Sequence, residues 1–153
     1  MTLAFRILKN REDAEEAVQD AFVRAFKSLH SFDERSSFMT WLYRIVYNVC
    51  LTKLDLYKKT FALFDRSTSS EDVLNVISQD ITDANLERAE DAELMGQAIN
   101  SLPRQMSTVL TLFYVQEMSY DEIVSVTGMP LGTVKTNLFR GRTAVREALR
   151  KRM

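Results

Sequence analysis

The sequence predicts an all-α protein with two small helical domains joined by a flexible acidic linker. Its 153 residues include only 4 Gly and 2 Pro, too few to supply the turns of a many-stranded β-protein. Apolar residues recur at helical spacing in both halves of the chain, whereas the stretch between them is polar and only weakly periodic. We therefore expect domains at 1–62 and 91–153, separated by a linker at 63–90.

A first amphipathic helix is predicted to begin after Asn10, whose side chain can cap the backbone of Asp13. Its other faces begin acidic and end basic, as the helix dipole favours. Those acids are either a solvated face or a docking surface for a basic partner helix. The apolar side, which repeats at i, i+3, i+4 and i+7 and is expected to be buried, consists of Ala14, Ala17, Val18, Ala21, Phe22, Ala25, Phe26 and Leu29.

A second long helix is predicted to begin near Ser36 or Ser37. A neighbouring face of this helix carries Trp41, Arg44 and Asn48 at i, i+3 and i+7. These residues suit single-stranded nucleic acid, because the ring can stack on a base, the cation can contact phosphate and the amide can bind a base edge. The alternative is core packing, which is the more common role of a Trp on a helix. The expected core stripe of the helix is Phe38, Leu42, Ile45, Val49 and Leu56.

Three short helices and a final long one are predicted in the C-terminal half. The first contains Leu94, Ala98, Ile99 and Leu102. Pro103 fits the first turn of the second. That second helix contains Met106, Val109, Leu110 and Phe113. Ser119 and Glu122 form a capping box that opens the third, which ends before Gly128 and Pro130.

The last two helices have the pattern of a helix-turn-helix, because a capped helix and a Gly-containing turn precede a basic helix. From Leu131 onward there are seven basic residues and one acid, Glu147. A generic hairpin with a solvated basic face is the alternative. The expected buried stripe of the last helix is Val134, Leu138, Val145 and Leu149. The opposite side offers groups suited to bases and phosphates at Lys135, Thr136, Phe139, Arg140, Thr143 and Arg146.

Composition and charge narrow the function classes. Residues 61–97 carry 2 basic and 9 acidic side chains, whereas 98–153 carry 8 basic and 4 acidic, which suggests a polyanion-binding module on a linker. Because Cys50 and His30 are single, and no phosphate loop or nucleophile elbow is present, we expect no metal, no cofactor and no enzyme. No apolar run approaches the ~20 residues that span a bilayer, so we expect a cytoplasmic protein without membrane insertion.

Both halves resemble one known family. Residues 10–22 (NREDAEEAVQDAF) and 37–45 (SFMTWLYRI) are similar to region 2 of extracytoplasmic-function (ECF) sigma factors. Residues 102–103 (LP), 118–123 (MSYDEI) and 130–136 (PLGTVKT) are similar to region 4 of the same family. The two sets of motifs occur in the family's order on either side of a variable linker.

The resemblance implies a bacterial transcription initiation factor that binds core RNA polymerase and promoter DNA and is held by an anti-sigma factor. Docking on the polymerase clamp would involve Asp13, Glu16, Gln19 and Asp20. Recognition and melting of the minus-ten element would involve Phe32 and Asn48, which match positions that hold a flipped base, and Trp41 and Arg44 at the melting edge. Reading of the minus-thirty-five element would involve Thr133, Lys135, Thr136, Phe139, Arg140 and Thr143.

The chain also departs from the family pattern. It opens near the end of the family's first region 2 helices, so we expect a bundle truncated at its N-terminus. Asn137 stands where the family often has Arg, which would alter a phosphate contact or a base preference.

The runner-up function is a helix-turn-helix regulator that binds duplex DNA without acting as a sigma factor. Such a protein would need neither the Trp41, Arg44 and Asn48 face nor the acidic one. A structural or adaptor role is a third possibility, but it leaves the basic helix unexplained.

Overall fold

The computed structural model describes residues 2–64 and 87–152, and within these ranges all regular structure is helical. The predicted all-α class is therefore confirmed. Contacts divide the chain into two compact units, Met1–Ile81 and Thr82–Met153, called here the N-terminal and C-terminal units. Most of the expected linker at 63–90 lies outside the described residues, and helices occupy both of its margins.

The described part of the N-terminal unit, residues 2–64, contains three α-helices: α1 (Thr2–Leu8), α2 (Arg11–Ser28) and α3 (Phe38–Phe64). Helix α1 packs against both of the others, and α2 packs against α3. Asn10 caps α2 as predicted, since its Oδ1 accepts a hydrogen bond from the backbone N–H of Asp13 at 3.0 Å. The capping residue of α3 is Ser37, whose Oγ accepts from the backbone N–H of Thr40 at 3.1 Å.

The predicted buried stripe of α2 is only half correct. The helix buries its small residues, whereas Phe22 is 57% exposed, Phe26 82% and Leu29 49%. Alanine lets neighbouring helices approach closely, so α1 and α3 pack on the alanine side and the larger side chains lie on the adjoining face. Periodicity does not separate these two faces, because together they make one wide apolar stripe. The buried residues are Ala14, Ala17, Ala21 and Ala25.

The predicted stripe of α3 is rotated from the buried side that the structure has. Of the predicted residues only Val49 is buried, and Phe38 and Leu56 are exposed. Two helices contact α3, so its buried face is the one directed at both of them. After Leu54 no buried residue follows in the described part of the helix. The buried residues of α3 are Thr40, Val46, Tyr47, Val49, Cys50 and Leu54.

Residues 87–152, which the structure describes in the C-terminal unit, form four α-helices: α4 (Glu87–Asn100), α5 (Arg104–Leu110), α6 (Tyr120–Thr127) and α7 (Leu131–Arg152). A π-helical turn at Thr111–Val115 lies between α5 and α6. Helices α4, α5 and α6 all pack against α7. This arrangement leaves one long side of α7 open to solvent.

Local signals of the C-terminal unit match the prediction closely. The capping box is complete, with Ser119 and Glu122 each accepting a backbone N–H of the other at 3.2 Å. Gly128 ends α6 in a left-handed conformation at φ 73°, which glycine adopts without steric cost. Pro103 lies one position earlier than predicted, at the N-cap of α5. The predicted stripe of α7 is buried at Val134, Leu138 and Val145 and half-buried at Leu149.

Candidate functional site

The open side of α7 carries the residues predicted to read duplex DNA. Lys135, Thr136, Arg140 and Thr143 are exposed, and Phe139 is 71% exposed. An exposed cation, hydroxyls and a ring on one side of the second helix of a helix-turn-helix can enter a major groove. The predicted residues of this side therefore lie together, with Thr133 half-buried at its N-terminal end.

Asn137 lies on the opposite side of α7. It is only 8% exposed, and it faces the packed interior with Val134 and Leu138 as its buried neighbours on the helix. The side chain of Asn137 is therefore not on the open side of α7 that carries Lys135 and Arg140.

A row of three rings and two cations borders the open side of α7, and the sequence did not predict it. Lys135 Nζ lies 5.9 Å from the ring of Tyr120, and the rings of Tyr120 and Phe113 stack at 5.5 Å and 23°. The guanidinium of Arg142 lies 5.6 Å from the Phe113 ring and 5.5 Å from the Tyr114 ring. We call these five residues the aromatic–cation row. The π-helical turn that carries two of the rings has no recognisable sequence signal.

In the N-terminal unit, three rings cluster where the loop after α2 meets the start of α3. Phe32 lies 5.4 Å from Trp41 and 5.7 Å from Phe38, and the last two are 5.6 Å apart, all measured between ring centroids. Arg44 and Asn48 are exposed further along α3. The structure thus brings Phe32 to Trp41, which the sequence did not predict, and it keeps a cation and an amide exposed on the same helix.

The acidic face of α2 is divided in two by contacts with α3. Lys53 Nζ lies 2.8 Å from Glu16 Oε2 and 3.9 Å from Asp13 Oδ1, and Tyr57 donates a hydrogen bond to Asp13 at 2.8 Å. Burial lowers the pKa of Lys53, but the hydrogen bond and the charges of Glu16 and Asp13 outweigh it, so the pKa is raised. Gln19 and Asp20, one turn further, are exposed.

An apolar groove lies beside the ring cluster, formed by the exposed large residues of α2 and the start of α3. Its volume is about 490 Å³. Exposed apolar surface of this kind marks an interaction site more often than an accident of packing. No local pattern in the sequence predicts the groove, because the exposure of its bulky residues depends on which side of α2 receives α1 and α3. The groove is lined by Phe22, Val23, Ala25, Phe26, Lys27, Leu29, Phe38, Trp41 and Leu42.

Three other features matter for function: a metal site, a reactive cysteine and a membrane-spanning helix. Among the described residues no cluster of His, Cys, Asp and Glu could hold a metal ion. Burial raises the pKa of Cys50 to about 11, which keeps its thiol protonated and unreactive. Within 2–64 and 87–152 no helix is long and apolar enough to cross a membrane.

Comparison with known proteins gives matches over both units. Residues 1–60 match the family model for Sigma-70 region 2, and residues 92–145 match the model for Sigma-70, region 4. The chain is 37% identical over 155 residues to the ECF RNA polymerase sigma factor SigW of Bacillus subtilis, covering 97% of this chain and 81% of that protein. It is 32% identical to the RNA polymerase sigma-H factor of Pseudomonas aeruginosa, covering 96% of this chain and 78% of that protein.

Two solved structures have a similar fold. The sigma factor RpoE in its complex with the anti-sigma factor NepR from Bartonella quintana superposes with a TM-score of 0.69 at 22% identity, covering 97% of this chain and 88% of that one. CnrH in its complex with the cytosolic domain of CnrY superposes with a TM-score of 0.60 at 23% identity, covering 98% of this chain and 80% of that one.

Proposed function

Because the chain belongs to the ECF family of RNA polymerase sigma factors, and so directs RNA polymerase in transcription initiation, we propose that its two units divide promoter recognition between them. The observation that carries the proposal is the presence, in one chain, of two exposed surfaces whose side chains suit different forms of nucleic acid. One is the exposed basic side of α7, and the other is the face of α3 with Trp41, Arg44 and Asn48. We place the functional domains at 1–62 and 91–153.

The C-terminal unit would read the duplex at the minus-thirty-five element. A cationic helix in the major groove reads base edges without opening the duplex. Arg140 has the guanidinium geometry that pairs with guanine, and Phe139 can cover a thymine methyl group. Thr136 and Thr143 supply hydroxyl groups on the same side, with Thr133 and Lys135 at its N-terminal end.

The N-terminal unit would hold the minus-ten element in its melted form. An extruded base needs a stacking surface, and the rings of Phe32 and Trp41 lie together at the start of α3. Arg44 is exposed for the phosphate chain, and Asn48 is exposed for a base edge. A regulator that binds only duplex DNA would not need such a face.

Docking on core polymerase would use the acidic face of α2, whose residues would contribute unequally to binding. Gln19 and Asp20 are exposed and open to a partner. Glu16 is exposed but paired with Lys53, and Asp13 is half-buried between Lys53 and Tyr57. Asp13 would therefore serve to orient α2. Glu16 would contact the polymerase either by leaving Lys53 or while still paired with it.

The apolar groove would receive an anti-sigma factor. Phe22 and Phe26 are among its most exposed residues, and an amphipathic helix laid into such a groove buries its apolar face. The structural neighbour RpoE was solved in complex with the anti-sigma factor NepR, which supports a partner of this kind. The sigma factor would act in the cytoplasm and have no catalytic activity of its own.

Replacing Phe22 and Phe26 together by Gln tests the groove. We expect this variant to raise transcription in growing cells, because the inhibitor is no longer held, and to support normal run-off transcription with purified core polymerase. The matched control is Leu63→Gln, which changes an exposed apolar residue outside the groove. Loss of run-off activity in the double variant would mean that the groove faces the polymerase instead.

The proposed function itself is tested with core RNA polymerase that lacks sigma. The chain should co-purify with core enzyme and produce discrete start sites on a library of genomic fragments. Binding of duplex DNA without binding of core polymerase would instead establish a helix-turn-helix regulator.

A further inference from the structure

The aromatic–cation row has an arrangement that packing alone does not require. Its two cations, Lys135 and Arg142, are exposed on α7, yet each lies over a ring supplied by another segment of the unit. The rings of Tyr120 and Phe113 are themselves stacked at 5.5 Å, so they join the two cation sites into one continuous row. Tyr114 closes the row at the Arg142 end, where its ring lies 5.5 Å from the guanidinium.

The row follows one edge of the recognition helix. Lys135 and Arg142 are seven residues apart, which places them nearly in line and about 10 Å apart along the axis of α7. Lys135 faces Tyr120 at the start of α6, and Arg142 faces Tyr114 in the π-helical turn. In a helix-turn-helix the first helix crosses the DNA backbone, so this edge borders phosphates and not base edges.

We propose that Tyr120 and Phe113 are positioning residues that hold Lys135 and Arg142 as a pair of phosphate contacts beside the base-reading side of α7. The proposal rests on the function proposed above and deepens it, because it separates the residues that fix the register on DNA from those that read sequence. Phe139 and Arg140 remain on the reading side, and Lys135 moves from that group to the phosphate group.

The physical reason is the conformational freedom of long cationic side chains. A free Lys or Arg populates many rotamers, and only some of them reach a given phosphate. A cation–π contact at an exposed site favours the bound geometry by a factor of about 2 to 5. The rings therefore raise the fraction of molecules whose cations already point along the edge, without adding charge.

The test measures equilibrium binding by holoenzyme, made from core polymerase and the full natural chain. The probes are a promoter duplex and a scrambled duplex, each at several salt concentrations. Tyr120→Leu should weaken binding to both duplexes about threefold and leave the salt dependence unchanged, because no charge is lost. Tyr120→Phe, which keeps the ring, should bind like the wild type.

Removing the cations should give a different signature. Lys135→Ala and Arg142→Ala should each weaken binding about five- to tenfold on both duplexes and lower the slope of log K against log salt by about 0.9. In the Lys135→Ala background, Tyr120→Leu should have a smaller effect than in the wild type, because the contact between Lys135 and the Tyr120 ring is already lost. Lys151→Ala removes a cation from the last turn of the same helix and controls for general charge effects.

A second pair of variants covers the possibility that Tyr120→Leu disturbs the fold. Phe113→Leu should weaken binding as Tyr120→Leu does, and Phe113→Tyr should restore it, with helical circular dichroism unchanged in both. A merely structural role would make Phe113→Leu weaken binding just as much in the Arg142→Ala background, where the contact between the ring and the guanidinium is already lost.

Several results would overturn the inference while the proposed function stands. The first is wild-type affinity for DNA in Tyr120→Leu. The second is an equal loss of affinity in Tyr120→Phe, which would mean that the hydroxyl group touches DNA. The third is a loss of affinity in Lys135→Ala that is confined to the promoter duplex. If the wild-type holoenzyme bound neither duplex, the proposed function would fail and this inference with it.

Discussion

Lys53 and Tyr57 tie the N-terminal end of α2 to α3 through Asp13 and Glu16. The hydrogen bond to Asp13, burial and the Asp13 charge together raise the pKa of Tyr57, and the pKa of Lys53 is raised as well. Both groups therefore hold their protons more tightly in the folded chain than in the unfolded one. By linkage, their stabilising effect is complete below the unfolded pKa values and is lost as the pH rises through the folded ones.

The stability of the N-terminal unit should consequently fall as the pH rises above about 10, where unfolded Tyr and Lys begin to lose their protons. The fall should be smaller in Tyr57→Phe and Lys53→Met, because neither variant side chain titrates there. Trp41 is the single Trp of the chain, so its fluorescence during urea unfolding reports this unit alone. An identical pH dependence in the wild type and both variants would rule out this role for the cluster.

Cys50 offers a second measurement on the same unit. Because burial raises its pKa to about 11, the thiolate at pH 8 is scarcer than for a free Cys by a factor on the order of a hundred. We expect iodoacetamide to label the native chain at least that much more slowly than the chain in urea. Labelling at the unfolded rate, with Trp41 fluorescence still native, would show that Cys50 is accessible.

Among the elements, the turn between α6 and α7 depends most on one backbone conformation. Gly128→Ala should destabilise the C-terminal unit by about 1 kcal/mol, because Ala is strained at φ 73°. Gly132→Ala is the matched control, since a Cβ there meets nothing within 4 Å and Ala is the better helix former. Thermal unfolding followed by circular dichroism compares the two. Equal stability of both variants would contradict the account of the turn.

Elements with local chemical signals were predictable from the sequence, and faces set by tertiary packing were not. The caps at Asn10 and Ser119 and the end of α6 at Gly128 follow from side chains within a few residues. The exposed positions of Phe22 and Phe26 depend on which side of α2 receives α1 and α3, and no local pattern specifies this.

The same distinction applies to the candidate sites. The exposed side of α7 is simply the opposite of a buried stripe that periodicity identifies, so its residues could be predicted. The aromatic–cation row and the Lys53 cluster join residues from separate elements. Helical periodicity does not predict contacts between residues so far apart in the sequence, such as Tyr57 and Asp13, which are 44 residues apart.

At the scale of the whole molecule, we propose that the C-terminal unit reads duplex DNA and that the N-terminal unit holds the melted strand. The two tasks need different chemistry, since a cationic helix reads closed base pairs and a stacking surface holds extruded bases. A single substitution in either unit should therefore affect one step of initiation and spare the other.

The most direct measurement compares holoenzymes carrying Arg140→Ala or Trp41→Ala on one promoter, with occupancy followed by footprinting and melting by permanganate reactivity of unpaired thymines. Arg140→Ala should weaken binding by about 1–3 kcal/mol, and higher concentration should restore both occupancy and melting. Trp41→Ala should leave initial occupancy nearly unchanged and reduce the melted fraction of bound promoters at every concentration. If Trp41→Ala lost occupancy and melting in parallel, or if Arg140→Ala failed to melt promoters that it fully occupied, the division of labour between the two units would be wrong.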